Sequence, residues 1–333
     1  MRKRADDAPQ GPMRATYLAK KVGWALVTVF FVLCFNFFLF RIMPGDPAGL
    51  LARSQRLTET EIAEQRAIFG LDEPLLSQFM TYMQETLTAN LGTSYLTGQP
   101  VIETITERAW PTILLVGVGT IIAVALGLTM GIKGAWRRGS AFDRSSLYGS
   151  LTLYSTPEGW LGMMLLIIFA GTLGWFPVGG YDSGDGATGL VHVADVLNHL
   201  VLPAATLALG YGASYMIVMR SSLLEVKDED FIATARAKGL TETMVRKRHA
   251  VPNAFLPSFT LIVLSFGFVL GGAIVVETIF SYPGIGQLTY QAIDAYDYPV
   301  LQGVFLISSI AVVIANLFAD LAYGFLDPRI EEV

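Results

Sequence analysis

A single cysteine, Cys34, excludes a disulfide framework and any cysteine metal site within these 333 residues. Charge is scarce too: 15% of the residues are Asp, Glu, Lys or Arg, against about a quarter in an ordinary soluble domain. The three histidines, His192, His199 and His249, fall too far apart in expected location to suggest a zinc or nickel site, so no metal is expected. No G-x-x-x-x-G-K-[ST] phosphate loop occurs, so the chain cannot bind ATP in the Walker manner, and no cofactor of its own is expected. Nor do its motifs assemble a nucleophile, a base and an orienting group on one side of a membrane, which argues against an intramembrane hydrolase.

What fills the chain is apolar. Hydrophobic residues make up 53%, with a mean hydropathy of +0.50. The apolar runs approach the roughly 20 residues needed to cross a bilayer as helix. Six are expected as spans, at about 22–42, 111–132, 147–173, 199–219, 256–278 and 301–323. The fold class is therefore an all-α polytopic membrane protein, because lipid satisfies no open backbone groups and the alternating pattern of a membrane barrel is missing. The first run lacks a small-residue cleavage pattern and reads as a retained helix rather than a signal peptide.

Orientation follows from where Lys and Arg are absent. Segments 174–198 and 279–300 hold neither, only acids such as Asp182, Asp185, Asp195, Asp294 and Asp297. Basic residues crowd the other side: Lys20 and Lys21 before the first span, Lys133, Arg137 and Arg138 after the second, and Arg236, Lys238, Arg246, Lys247 and Arg248 between the fourth and fifth. Both termini are expected to be cytoplasmic. The polar segment 43–110 then lies outside. Ile62, Ile68, Phe69, Leu75, Leu76, Phe79, Tyr82 and Met83 recur there at roughly helical spacing, so packed amphipathic helices capping the outer mouth are expected.

Four polar features inside the spans stand out. Glu158, directly after Pro157, either lines a solute path or pairs with neighbours at a proline-induced break. Glu277, at the end of the fifth span, is expected at the external water interface, or else in contact with solute. Asn198 is expected to cap the fourth span. Asn316 and Asp320, four apart, share a face and suggest an interhelical contact.

Between the fourth and fifth spans, Asp230 to Pro257 form a basic amphipathic segment, expected as two short helices about a turn at Gly239, where a residue without a side chain eases the break. Composition alone explains it as a topology-setting loop. Its run ATARAKG, followed nine residues later by HAVP, resembles the EAA loop of permease subunits in bacterial ABC importers. Ala233, Thr234 and Ala235 take the opening triplet, Lys238 precedes the glycine position of Gly239, and His249 and Pro252 fall in the closing apolar-proline positions. Ala233 stands where that pattern has an acid, and His249 where it has an aliphatic residue. RIMPGDPA, NLGTSYLTGQPV, STPEGWLG, LGWFPVGGY, ETIFSYPGIGQL and FADLAYGFLDPRI resemble, in order, the B-type permease of dipeptide and oligopeptide ABC importers over about residues 15–330.

The resemblance implies a type I ABC importer (MetI-like) permease core in the bacterial plasma (inner) membrane. It divides the chain into a tail (1–14), a first span with external cap (15–110) and a five-helix core (111–330) with a coupling loop at 221–255. It implies a non-catalytic subunit forming half of a path for peptides or similar solutes. The partners implied are a second homologous permease, two cytoplasmic ATPases carrying ATP and Mg, an extracytoplasmic binding protein and membrane lipid, with no nucleic acid. The coupling residues would be Ala233, Thr234, Ala235, Lys238, Gly239, His249 and Pro252, and the path residues Glu158 and Glu277. An autonomous secondary carrier or channel, or a membrane scaffold, is the other reading of the composition. A single span plus a large external segment ahead of five close spans counts against the inverted repeat of many carriers.

Overall fold

A computed structural model describes residues 15–42, 73–268 and 273–326. They form twelve helices: α1 Ala15–Ile42, α2 Leu75–Leu87, α3 Val101–Trp136, α4 Ala141–Ser155, α5 Glu158–Leu165, α6 Gly189–Lys227, α7 Asp230–Ala237, α8 Glu242–Met244, α9 Val251–Phe268, α10 Ile274–Ile279, α11 Ile285–Asp294 and α12 Tyr298–Leu326. π-helical turns continue α5 over Leu166–Thr172 and join α8 to α9 over Val245–Ala250. Among the described residues there is no strand, only one isolated bridge between Thr93 and Pro100.

Four of the helices have stretches long and apolar enough to cross a membrane: Ala19–Arg41, Val101–Trp136, Gly189–Lys227 and Tyr298–Phe318. α4 and α5 with its π-helical turn pass the same test only as a pair, bent by 105°, which makes five crossings if the pair is one broken span. Pro157 causes the bend: it has no N–H for the ladder, and it holds Thr156 extended (φ −86°, ψ 125°). The stretch expected as a span at 256–278 holds α9 and α10, neither of which is among those crossings, and its residues 269–272 lie outside the described ones, so the described residues give four or five of the six expected spans.

Two helix starts depart from expectation. α3 begins at Val101, ten residues before the apolar run, so the last part of the expected external cap is its first turns. α6 begins at Gly189, with Thr188 as its N-cap, so Asn198 lies in mid-helix and caps nothing. Both extensions carry charged or polar residues that a hydropathy pattern reads as loop. At 39 residues α6 is about 58 Å long, nearly twice a hydrocarbon core of about 30 Å.

α3 and α6 form the centre of the fold, and small residues bring them together. Gly119, Ala123, Gly127, Gly131 and Ala135 recur every four residues and so make one stripe down α3. A methyl group added at Gly127 would lie 2.6 Å from the Gly212 carbonyl oxygen, and one at Gly131 2.8 Å from that of Met216. At the basic end of this pair, Arg220 of α6 makes a two-pronged contact with buried Asp143 of α4, Nε–Oδ1 2.6 Å and Nη2–Oδ2 3.0 Å. Asp143 also accepts from the Gly139 amide at 2.9 Å, while the Ser140 side chain caps α4 through the Asp143 amide.

α1 lies at the edge, against α12 and α2. Lys21 pairs with Asp320 at 2.9 Å, the interhelical contact expected of the Asn316–Asp320 face, while Asn316 is exposed. Asn36 donates to the Tyr82 hydroxyl at 2.9 Å, and the Phe37 ring packs on Phe79 and Tyr82. The inner face of α2 is thus Gln78, Phe79 and Tyr82, whereas Leu75 and Leu76 are exposed; Ile62, Ile68 and Phe69 lie outside the described residues. Asp297 heads α12 and gathers the 94–96 loop, accepting from Ser94 Oγ at 2.5 Å and from the Tyr95 and Leu96 amides at 3.2 Å. Burial, with the Asp297 carboxylate close by, pushes the Tyr95 phenol well above its ordinary range.

Gly127→Leu should overpack the seam at a cost of about 1–3 kcal/mol and lower the Tm of the purified subunit. Gly117→Leu, on the same helix with nothing within 4 Å of the added carbon, is the control and should leave Tm nearly unchanged. Arg220→Leu, which strands a buried carboxylate, should cost about 3–5 kcal/mol. The double variant Asp143→Leu/Arg220→Leu should be more stable than Arg220→Leu, as read by a double-mutant cycle of unfolding.

Candidate functional site

The loop that follows α6 is built as a rigid platform. α7 turns its Ile232 and Ala235 side chains, three residues apart and buried, into a cluster with Ala135, Met219, Leu223, Val245, Ala250 and Ala254. It ends in a left-handed glycine: Gly239 has φ +80°, its N–H reaches the Arg236 carbonyl at 2.9 Å, and the Leu240 N–H reaches that of Ala235 at 3.4 Å. This is the Schellman pattern, and Leu240 packs on the same cluster as Ala235, the apolar contact that goes with it. Thr241 then caps α8 through the Met244 amide, and an exposed Arg236–Glu242 pair, 2.8 Å, spans the turn.

The π-helical turn runs into Pro252, which removes one ladder donor. The Asn253 side chain donates to the His249 carbonyl at 2.6 Å. The bed beneath is fastened from three sides. Arg220 holds Asp143, Lys227 Nζ donates to the Ala135 carbonyl at 2.9 Å, and Lys227 and Arg246 lie 5.2 and 5.8 Å from the centroid of the Trp136 ring. None of these fastenings was foreseen from the sequence, although Ser140-x-x-Asp143 before an apolar run is a helix-start signature.

Of the expected coupling residues, Ala233, Thr234, Lys238, Gly239 and Pro252 are exposed and His249 is half-buried. Ala235 faces inward, so it supports the platform from below rather than presenting a surface; Phe231, its apolar neighbour, points outward instead.

The two acids singled out in the spans differ sharply. Glu277 is fully buried, not at the water interface as expected. The chain folds back after α10 through SYPGIG and sets the N-terminus of α11 over this carboxylate. It accepts from Thr112 Oγ1 at 2.8 Å and from the Gln287 amide at 3.0 Å, while Thr112 accepts from the Ile285 amide at 2.8 Å. Gly284 and Gly286 are required here, since a side chain at either would strike the Glu277 carboxylate. Glu158, at the 105° corner, is half-buried and has no hydrogen-bond or ion-pair partner among the described residues, though it lies within electrostatic reach of Tyr211.

Residues 123–332 match the family described as the binding-protein-dependent transport system inner membrane component, and residues 14–116 match its N-terminal membrane component. A probable peptide ABC transporter permease protein of Sinorhizobium fredii is 38% identical over 314 residues, covering 94% of this chain and 98% of that protein. A glutathione transport system permease protein of Salmonella typhimurium is 37% identical over 314 residues, with the same coverage. A putative peptide permease protein of Brucella suis is 39% identical over 297 residues, covering 89% of this chain and 92% of its own length. In fold, the chain resembles an inward-facing structure of the MetNI methionine ABC transporter, with a TM-score of 0.54 and 17% identity over 68% of this chain and 97% of that one. With matches over nearly its whole length, the chain belongs to the binding-protein-dependent transport system inner membrane components and is a permease subunit of an ABC importer.

Proposed function

We propose that this permease carries peptides or closely related solutes, handed over by an extracytoplasmic binding protein. We propose further that it is driven through its 221–255 loop by two cytoplasmic ATPases that hold the ATP and Mg. Relatives named for peptide and glutathione transport support the cargo class. A second, homologous permease would supply the rest of the path wall, since α1 is peripheral and the remaining crossings leave a wall incomplete. The clustering of basic residues at the loop end of α3 and α6, with only acids in 174–198 and 279–300, supports termini on the cytoplasmic side.

The observation that carries the drive mechanism is the exposed tip of α7, with Ala233, Thr234, Lys238 and Gly239, seated on a bed continuous with α3, α6 and α9. ATP-driven closure can shift the permease between outward- and inward-open states only through contacts that differ between them. A tip that flexed by itself would absorb that motion. Here the buried Ile232 and Ala235, the half-buried Leu240 packed on the same cluster, the Schellman turn and the Asp143–Arg220 clamp pass it to the spans. His249, in the π-helical turn, and Pro252, at the start of α9, would move with the tip.

Gly239→Val forces a β-branched residue to φ +80°, a strain of roughly 1–2 kcal/mol per residue. The subunit should still insert and assemble, while binding-protein-stimulated transport in proteoliposomes falls by up to about tenfold, the factor that about 1.4 kcal/mol gives. Gly239→Asn, which tolerates the left-handed region, should retain most of the activity. Unchanged transport and stimulated ATP hydrolysis in Gly239→Val would remove the coupling role from this turn.

A further inference from the structure

Three acids near the helix bundle invite comparison, and only one lacks a partner. Asp143 is held by Arg220 and the Gly139 amide, and Glu277 by Thr112 and the Gln287 amide. Glu158 has no hydrogen-bond or ion-pair partner among the described residues.

Its depth makes that unusual. Gly162 lies against Thr206 and Gly159 against Val275, so α5 packs closely on α6 and α10, and Glu158 comes within electrostatic reach of Tyr211. Between Asp195 and Arg220, α6 contains no Asp, Glu, Lys or Arg. Tyr211 stands nine residues before Arg220 and sixteen after Asp195, or about 14 Å and about 24 Å along the helix. That level is inside a hydrocarbon core of about 30 Å. An unpaired carboxylate facing lipid there is strongly unfavourable, so Glu158 is expected to face the bundle interior, where the path between this subunit and its partner would run. Glu158 is the first residue of α5, and Pro157 before it fixes where the carboxylate is presented.

Resting on the peptide-import reading, we propose that Glu158 and the Tyr211 ring form a mid-membrane subsite for the cationic amino terminus of the transported peptide. A carboxylate attracts an ammonium and repels the peptide's other end, so it also sets direction along the path. The tyrosine adds a cation–π face and a hydroxyl. A single unsatisfied charge holds the ammonium without the full ring of donors that would trap it, as transit requires.

The assembled transporter, in proteoliposomes with its own binding protein, would be offered a pool of random-sequence tripeptides with free amino termini and the same pool N-acetylated. Glu158→Gln should lower uptake of the free pool by about tenfold, a loss of about 1.4 kcal/mol. Glu158→Asp should keep about half of it, since the charge remains. For the acetylated pool, Glu158→Gln and wild type should agree. Equal losses on both pools, no loss in Glu158→Gln, or a loss in Glu158→Asp as large as in Glu158→Gln would overturn the subsite. If wild type takes up neither pool, it is the peptide reading that fails, and the subsite falls with it.

Discussion

The close approach of α3 and α6 governs the rest of the molecule. In lipid, helices gain little by burying apolar side chains against each other, so close packing and polar contacts must hold them. The stripe Gly119, Ala123, Gly127, Gly131 lets the α3 backbone touch α6 along most of the bilayer depth. Because α6 emerges as the stalk of the loop and α3 ends in Trp136 beneath it, that seam also sets where α7 can sit. The outer elements follow from the same pair: Thr112 of α3 reaches Glu277, and Glu277 orders the start of α11.

Each buried charge in this arrangement does a backbone's work. Glu277 receives amides at the start of α11 that no intrahelical carbonyl can satisfy, and Asp297 does the same for the 94–96 loop and α12. Asp143 takes the Gly139 amide as well as Arg220. A helix bundle with tight turns needs such groups, because the first amides of each helix have no carbonyl behind them to satisfy them.

Much of the architecture was legible in the sequence because hydropathy and breakers report it directly. The apolar runs marked α1, α3, α6 and α12, Pro157 marked the broken crossing, and Gly239 marked the turn between short helices. Helix ends were less legible. Val101–Trp110 contains Glu103, Glu107 and Arg108, and hydropathy registers where a helix enters lipid rather than where it begins. Glu277 was misplaced at a watery helix end because nothing local says that SYPGIG folds back over it. The direction of Ala235 was hidden for a similar reason: only the docked partner helices reveal that Ile232, not Phe231, is on its side. The seam was readable in principle, as small residues at every fourth position of an apolar run.

The length of α6 has a mechanical meaning. Its one proline, Pro203, precedes Tyr211, so from Tyr211 to Lys227 it runs as an unbroken rod of sixteen steps, about 24 Å. A tilt of about 10° about a pivot at Tyr211 would sweep the stalk of the loop by about 4 Å, roughly three-quarters of the rise of one helical turn. The same rotation, measured at the pivot, moves Tyr211 hardly at all. Such a rotation would give large travel at the loop end of α6 and nearly none at the level of Tyr211.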